Sequence, residues 1–318
     1  MRAIIKYLIG FIFLCCFELN AKENNDNIAI VIHGGAGWFS GMPESEIEGI
    51  KNGLKDALYV GYKILENNGS SVSAVEASIR ILEDNSLFNA GKGAVYNADA
   101  IQELDASIMQ SKDHNAGAVA GVRKVKNPIT LAKYVMENTP HVMFSGDGAE
   151  LIAKDGGIEL VDESYFHSEK NLKRLENVQS KQNKLGTVGV VAIDINGIIT
   201  AGTSTGGMTN KLKGRIGDSP IIGAGTWATP GCGVSGTGHG EFFIRYNVAK
   251  EICSRHLNRN ISVLEAASNV ISELKSIDAD AGVIVLDGSG NSAMVFNTPA
   301  MARAYKNSNG DEIILIYK

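Results

Sequence analysis

The chain is poor in the residues that mark several protein classes. It has 2 tryptophans and 6 prolines in 318 residues, and aromatic side chains make up only 7% of it. Proline-rich, collagen-like and disordered architectures are excluded on that balance. Basic residues are the minority, 30 against 35 acids, and they are dispersed. The clustered Lys/Arg footprint of a nucleic-acid binder is missing, so no nucleic-acid partner is expected. The apolar run Tyr7 to Phe17 is shorter than the about 20 residues needed to cross a bilayer. Cysteine numbers 4, of which Cys15 and Cys16 lie in that N-terminal run. Cys232 and Cys253 are too few for a disulfide framework and lack zinc-site spacing; each reads as a small buried hydrophobe, with their pairing left open.

What the chain does have is the 44% hydrophobic and 20% charged content of a folded protein of one or two domains, and 36 glycines. So much glycine implies many places where backbone approaches something closely. Residues 1–21 combine Arg2 and Lys6, the apolar run and a polar end before Lys22-Glu23-Asn24, which reads as a secretory signal peptide cleaved after Ala21. Export to the periplasm or beyond, with no membrane attachment after removal, is the expectation. A buried N-terminal helix is the other reading, and it would have to hide Phe11, Phe13 and Phe17. A lipid anchor at Cys16 is disfavoured by Phe13 and Cys15 just before it.

The run Asn27 to His33 has the length and β-branched content of a strand buried on both faces, and Gly34-Gly35-Ala36-Gly37 stops it. Helices are expected over Glu44 to Asn67 and Ser71 to Asp84, with Gly69 as stop and Ser70 or Ser71 as N-cap. Strands at Glu103 to Met109 and Gly117 to Val125 and helices at Pro128 to Glu137 and Gly146 to Lys154 follow. Residues 156–184 are crowded with charge and read as an exposed, mobile connection. Beyond it, Thr187 to Ile193 and Ile198 to Thr205 flank Asn196-Gly197, a strong hairpin signal. Further strands are expected near 231–235, 281–286, 292–297 and 312–317, and helices over 241–255 and 262–276. Strands and helices thus come in blocks, which points to a layered α+β fold and away from a βαβ repeat.

The sharpest feature is the junction Lys184-Leu185-Gly186-Thr187-Val188-Gly189, where the charged connection meets a buried strand headed by a hydroxyl. A cut between Gly186 and Thr187 would put a hydroxyl and an α-amine on one residue, the amine having a reference pKa of about 7.7 to 8.0. A base suited to neutral pH would then stand beside its nucleophile. Glycine before the threonine tolerates the backbone geometry that an intramolecular attack requires. A Gly-Thr pair alone is common at strand starts.

Its company is not. Gly202-Thr203-Ser204-Thr205-Gly206-Gly207-Met208, Gly214-Arg215-Ile216-Gly217-Asp218-Ser219-Pro220 and Gly236-Thr237-Gly238-His239-Gly240-Glu241 follow the junction. His33-Gly34-Gly35-Ala36-Gly37, Leu87-Phe88-Asn89-Ala90-Gly91-Lys92-Gly93 and Glu103-Leu104-Asp105-Ala106-Ser107-Ile108-Met109 precede it. In these blocks, and in their order, the chain resembles the plant-type asparaginase, or isoaspartyl peptidase, family of N-terminal-nucleophile hydrolases. The resemblance implies a four-layer αββα sandwich of residues 22–318, made as one precursor that cuts itself into an α subunit, 22–186, and a β subunit, 187–318. It implies an acyl-enzyme on Thr187, formed from the side-chain amide of asparagine or from a β-aspartyl dipeptide, and a dimer of αβ heterodimers.

Several roles follow by resemblance. Arg215 offers a planar fork for the substrate α-carboxylate and Asp218 a partner for its α-ammonium, which the Gly240 carbonyl helps to hold. Thr237 and Gly238 match oxyanion donors, Thr205 the hydroxyl supporting the nucleophile, and Asn89 a residue within reach of Thr187. No cofactor is required, but the backbone carbonyls of Leu82, Glu83, Asn85, Phe88, Ala90 and Lys92 match a loop that holds sodium in several members. His33 reads as a structural histidine and His239 as a pocket wall. The rival within the superfamily is glycosylasparaginase, which has His-Asp before its nucleophile, where this chain has Leu185-Gly186, and another residue at the place of Gly207. A non-catalytic exported amino-acid-binding protein is a more remote reading, with no use for the Gly186-Thr187 junction.

Overall fold

The computed structural model describes residues 27–37, 39, 41–177 and 186–318. The expected signal peptide, and residues 178–185 of the expected connection with Lys184 and Leu185, lie outside the described residues.

Strand parity organises the molecule. In β1 (Ala29–Gly37) every residue is buried, and successive side chains serve different cores. Ile30 and Ile32 join Val188, Val190 and Ala192 of β5 (Val188–Ile193) in a core shared with α1 (Glu44–Glu66) and α2 (Ser71–Glu83). Ala29 and Val31 join Val191 and Ile193 in a different core. A period of two sends alternate residues to opposite faces, so a run with no polar break is covered on both sides.

β1 and β5 sit in an eight-stranded sheet that also contains β2 (Leu104–Gln110), β3 (Ala116–Val122), β4 (Met143–Ser145), β6 (Ile199–Thr205), β11 (Ala300–Asn307) and β12 (Glu312–Tyr317), in the order β12-β11-β1-β5-β6-β2-β3-β4. A four-stranded sheet contains β7 (Thr226–Thr229), β8 (Cys232–Gly238), β9 (Ala281–Asp287) and β10 (Ser292–Phe296), ordered β10-β9-β8-β7. α7 (Val248–Arg259) and α8 (Val263–Ser276) cover this smaller sheet, packing Ile252, Val270 and Ile271 against Val234, Val283 and Val285. Ile284 and Leu286 instead meet Val31, Val191 and Met301 of the larger sheet. The molecule is thus mixed α and β, with two sheets packed on each other.

The hairpin expected at Asn196-Gly197 joins β5 and β6 in register from Val188↔Ser204 to Ile193↔Ile199, with Gly197 at φ +73°. N-caps at Ser70 and Ser262 accept from Ser73 N and Glu265 N, satisfying otherwise orphaned donors.

The structure corrects several expectations. The helix expected over 241–255 breaks at Asn247, whose φ of +51° separates α6 (Gly240–Tyr246) from α7. The connection expected over 156–184 carries α5 (Glu169–Asn177). Phe166 and Asn171 are buried there, because Asn171 Nδ2 donates to the carbonyls of Gly93 and Ala94 while Gln102 Nε2 donates to that of Phe166. Its surface charge concealed these anchors. Cys232 and Cys253 are buried as expected, but they are also paired, with Cα atoms 5.6 Å apart. The cause is spatial: α7 lies directly on β8, within bridging reach despite a sequence separation of 21.

Candidate active site

Thr187 stands at the head of β5, 8% exposed, and its Oγ1 donates to Thr205 Oγ1 at 3.0 Å. Thr205 ends β6, the hairpin partner of β5, so antiparallel pairing alone brings the two hydroxyls together. Thr205 Oγ1 also accepts from Gly207 N at 2.9 Å. With two donors on one oxygen, Thr205 is oriented as an acceptor toward Thr187.

Gly186 is enclosed. A Cβ there would strike Thr237 Oγ1 and lie 2.7 Å from Ala36 N and 2.8 Å from Gly35 Cα. Gly35, at φ +105°, is likewise bound to be glycine, since its Cβ would sit 2.7 Å from the Gly186 carbonyl oxygen. The peptide between Gly186 and Thr187 is thus held among three glycine-permitted approaches from β1, β8 and its own strand. Thr237 Oγ1 accepts from Ala36 N at 3.3 Å, which leaves its own proton for another acceptor. Gly238, at φ +146°, passes so close to the Asp280 carbonyl that no side chain fits.

Three residues beyond Thr237, Gly240 meets the charged groups. A Cβ on Gly240 would be 2.9 Å from both Arg215 Nη2 and Asp218 Oδ1. At 3.3 to 3.6 Å per residue, the segment from Thr237 to Gly240 spans at most about 10 Å, so the nucleophile and the charged groups border one small space. Arg215 is not paired with Asp218. Its Nε and Nη2 donate to Glu241 Oε1 and Oε2, both at 2.9 Å. Asp218 is buried with Oδ2 unpartnered, and burial pushes its carboxyl up to about 7, against the opposing pull of the Arg215 charge.

Asn89 joins the site through Gly207, Nδ2 donating to the Gly207 carbonyl at 2.7 Å while Oδ1 accepts from Val95 N at 3.0 Å. Lys211 lies over Gly207: a Cβ there would be 2.9 Å from Lys211 Cδ and 3.0 Å from Nζ. Lys211 Nζ donates to the Glu103 carbonyl at 3.0 Å, and burial lowers its pKa. Asp105, directly across from Thr205 in the β2–β6 pair, is buried with a raised pKa caused by desolvation.

The loop carrying Leu82, Glu83, Asn85, Phe88, Ala90 and Lys92 follows α2. The carbonyls of Glu83, Ser86 and Phe88 crowd Gly91 and Gly93 so closely that side chains at either would collide with them. Asn85, Phe88 and Ala90 each use one carbonyl lone pair on a backbone N–H within the loop, leaving the second, while the Leu82 carbonyl accepts from the N–H groups of both Asp84 and Asn85. Such neutral oxygens suit a hard monovalent cation. No cluster of His, Cys, Asp and Glu able to hold a metal occurs among the described residues. The Glu83 side chain points elsewhere: Oε1 accepts from Ser204 Oγ at 2.7 Å and Ile129 N at 3.0 Å, Oε2 is unpartnered, and burial pushes the carboxyl up to about 8.

Sequence reasoning passed over Glu241 and Asp105, which stand inside motif blocks, and Lys211, which lies between two of them; their only signal is a charge in a glycine-rich or apolar setting. His33 is fully buried, and its pKa is driven down to about 3 by desolvation, so it is a neutral imidazole and no base. His239, with 32% of its side chain exposed, lies 3.7 Å from Glu241 Oε2.

Residues 26–316 match the family model Asparaginase_2, described as asparaginase. The isoaspartyl peptidase of Escherichia coli K12 is 40% identical over 294 residues, covering 87% of this chain and 92% of that protein. The isoaspartyl peptidase/L-asparaginase of Bos taurus is 39% identical over 285 residues, covering 86% and 92%. That of Mus musculus is 41% identical over 276 residues, covering 83% of each.

Proposed function

This chain belongs to the asparaginase family Asparaginase_2, and from that premise we infer that it is an isoaspartyl peptidase/L-asparaginase, a self-processing hydrolase whose nucleophile is Thr187. The observation that carries the reading is the 3.0 Å hydroxyl pair Thr187–Thr205 at an enclosed Gly186-Thr187 peptide.

In maturation, Thr187 Oγ1 attacks the Gly186 carbonyl carbon and its proton passes to the Thr187 nitrogen, which departs as the free α-amine; hydrolysis of the resulting ester then releases the Gly186 carboxylate and restores the Thr187 hydroxyl. That amine, with a reference pKa of about 7.7 to 8.0, then takes the Oγ1 proton when the hydroxyl attacks the side-chain amide of asparagine or the β-aspartyl peptide carbonyl. Negative charge develops on the carbonyl oxygen, where the free Thr237 proton and the Gly238 N–H serve as donors; one such donor is worth roughly 3 to 4 kcal/mol. Ammonia or an amine leaves with the proton from the Thr187 ammonium. Water, deprotonated by the same amine, resolves the acyl-enzyme.

At the other end, Arg215 takes the α-carboxylate, which replaces or shares the contact with Glu241. Asp218 and the Gly240 carbonyl take the α-ammonium. The substrate cation also relieves Asp218 of an uncompensated buried charge. Lys211 over Gly207 supports this branch against glycosylasparaginase, since a side chain at 207 would displace it.

The finer points of the reading are an αββα sandwich, subunits 22–186 and 187–318, a signal peptide over 1–21, export, and a dimer of αβ units. The Cys232–Cys253 bridge supports export, because such bonds persist in oxidising compartments. A sodium ion on the 82–92 carbonyls would brace the loop that holds Asn89, with no part in bond making.

Denaturing electrophoresis of the purified protein, N-terminal sequencing of the smaller band, and assays on β-aspartyl-leucine and asparagine test the reading. A band beginning Thr-Val-Gly-Val, together with release of leucine or ammonia, is expected. A single uncut chain that hydrolyses these substrates, or an uncut chain that only binds aspartate, overturns it.

A further inference from the structure

On the functional reading above, the reacting groups are divided between the two sheets. Thr187 and Thr205 stand on the larger; Thr237 and Gly238 stand on β8 of the smaller. The layer between them is mostly apolar, filled by Val31, Val191, Ala201, Ile284 and Leu286. Apolar contact is nondirectional: it sets how far apart two sheets lie, but resists their sliding only weakly. Yet the distance from the nucleophile to the oxyanion donors depends on that slide.

One end of the layer is built differently. His33 Nε2 meets Ser235 Oγ at 3.1 Å; Ser235 Oγ meets Thr203 Oγ1 at 2.7 Å; Thr226 Oγ1 donates to Thr203 Oγ1 at 2.6 Å; and Ser107 Oγ donates to Thr226 Oγ1 at 2.7 Å. All five side chains are completely buried. Their strands, β1, β8, β6, β7 and β2, alternate between larger and smaller sheet at every step, so each bond crosses the gap. Ser107 Oγ also lies 2.6 Å from the Ser219 carbonyl, beside Asp218, so its one proton is shared between that carbonyl and Thr226 Oγ1. Gly189 makes room: a side chain there, two residues after Thr187, would overlap His33 Nε2 and Ser235 Oγ. Ser235 in turn lies two residues before Thr237.

We propose that this hydroxyl ladder, centred on Thr203 and Ser235, fixes the slide of one sheet against the other and so aligns Thr237 and Gly238 with Thr187, making Thr203, Thr226 and Ser235 positioning residues for the reaction. The inference rests on the assignment of Thr187 as nucleophile. Hydroxyls are used where unpaired polar groups would be costly, and each rung is paired, so the ladder supplies direction without charge. A misplacement near 1 Å can cost on the order of 100-fold in rate.

The test separates hydroxyl from bulk at one position. Thr203→Val keeps the shape and deletes the rung; Thr203→Ser keeps the rung and deletes a methyl. Steady-state kinetics on β-aspartyl-leucine, with melting curves alongside, should show kcat down about 10- to 100-fold in Thr203→Val, KM little changed, and kcat largely restored in Thr203→Ser. A Thr203→Val enzyme as fast as wild type, or a Thr203→Ser enzyme as slow as Thr203→Val, overturns the ladder. Should Thr203→Val fail to fold, the pair Thr226→Val and Thr226→Ser makes the same comparison across the next rung, under the same criteria. An inactive, uncut wild type takes down the functional reading as well, whereas an active wild type with an indifferent Thr203→Val defeats only the ladder.

Discussion

Within hydrogen-bonding reach of Thr187 and Thr205 are hydroxyls and a main-chain N–H, none of them charged. Around Gly240, by contrast, the forked Arg215–Glu241 pair meets the buried carboxyl of Asp218, with Lys211, Glu103 and Asp105 behind. The segment that joins the two, Thr237 to Gly240, spans at most about 10 Å. Bond making at the first end thus depends on neutral donors and one new amine, while recognition at the second depends on charge. The two functions should separate under mutation and under pH.

Thr187→Ala attacks the neutral end and should have the largest effect: an unbroken chain on a denaturing gel and no measurable hydrolysis. A normally divided, active variant would remove Thr187 from its role. Arg215→Ala attacks the charged end, and kcat/KM should fall about 100-fold, the equivalent of about 3 kcal/mol for a charge-assisted contact. Division of the chain, which uses no head group, should proceed as in wild type; slowed division would erase the distinction between the ends.

The third prediction uses pH. Asp218 must be ionised to hold an ammonium, and burial has raised it to about 7. kcat/KM, which reports the free enzyme, should therefore decline as pH falls through about 7. Asp218→Asn should lose most of its affinity and make that limb less steep, because the Thr187 amine alone still takes up a proton there; an equally steep limb in Asp218→Asn would assign it elsewhere.

The smallest effect concerns a carboxyl close behind the neutral end. Glu83, bonded to Ser204 next to Thr205, is raised from 4.5 to about 8 by burial. Folding opposes its ionisation, so its contribution to stability is complete below about 4.5 and is lost as pH rises through about 8. Glu83→Gln, whose amide oxygen can still accept from Ser204 and Ile129, should flatten the decline of melting temperature with rising pH. An unchanged slope would mean that Glu83 is already ionised at neutral pH.

Much of this arrangement can be read from residue order, for reasons that also explain the gaps. The unbroken apolar runs of β1 and β5 announce strands covered on both faces, and Asn196-Gly197 announces the turn that brings Thr205 opposite Thr187. β11 escaped because Arg303 and Lys306 interrupt its pattern; Arg303 is nevertheless buried, its guanidinium spent on the carbonyls of Met301, Ile316 and Tyr317. Site residues carried by motif blocks, such as Arg215, Asp218 and Gly240, do converge. The Arg215–Glu241 pairing and the alternation of His33, Ser235, Thr203, Thr226 and Ser107 between sheets are relations across 26 and up to 202 positions. No local pattern encodes contacts of that kind.

The strand order has a consequence for what happens after a break before Thr187. β1 would belong to the N-terminal piece, yet it is zipped on one side to β11 and on the other to β5, both from the C-terminal piece, while β2 is zipped to β6. The halves would be interlaced like the fingers of two hands, with three seams to rip before either came loose. Gel filtration under native conditions would see one particle before and after the cut, and neither fragment made alone would have the complete eight-stranded sheet to fold into.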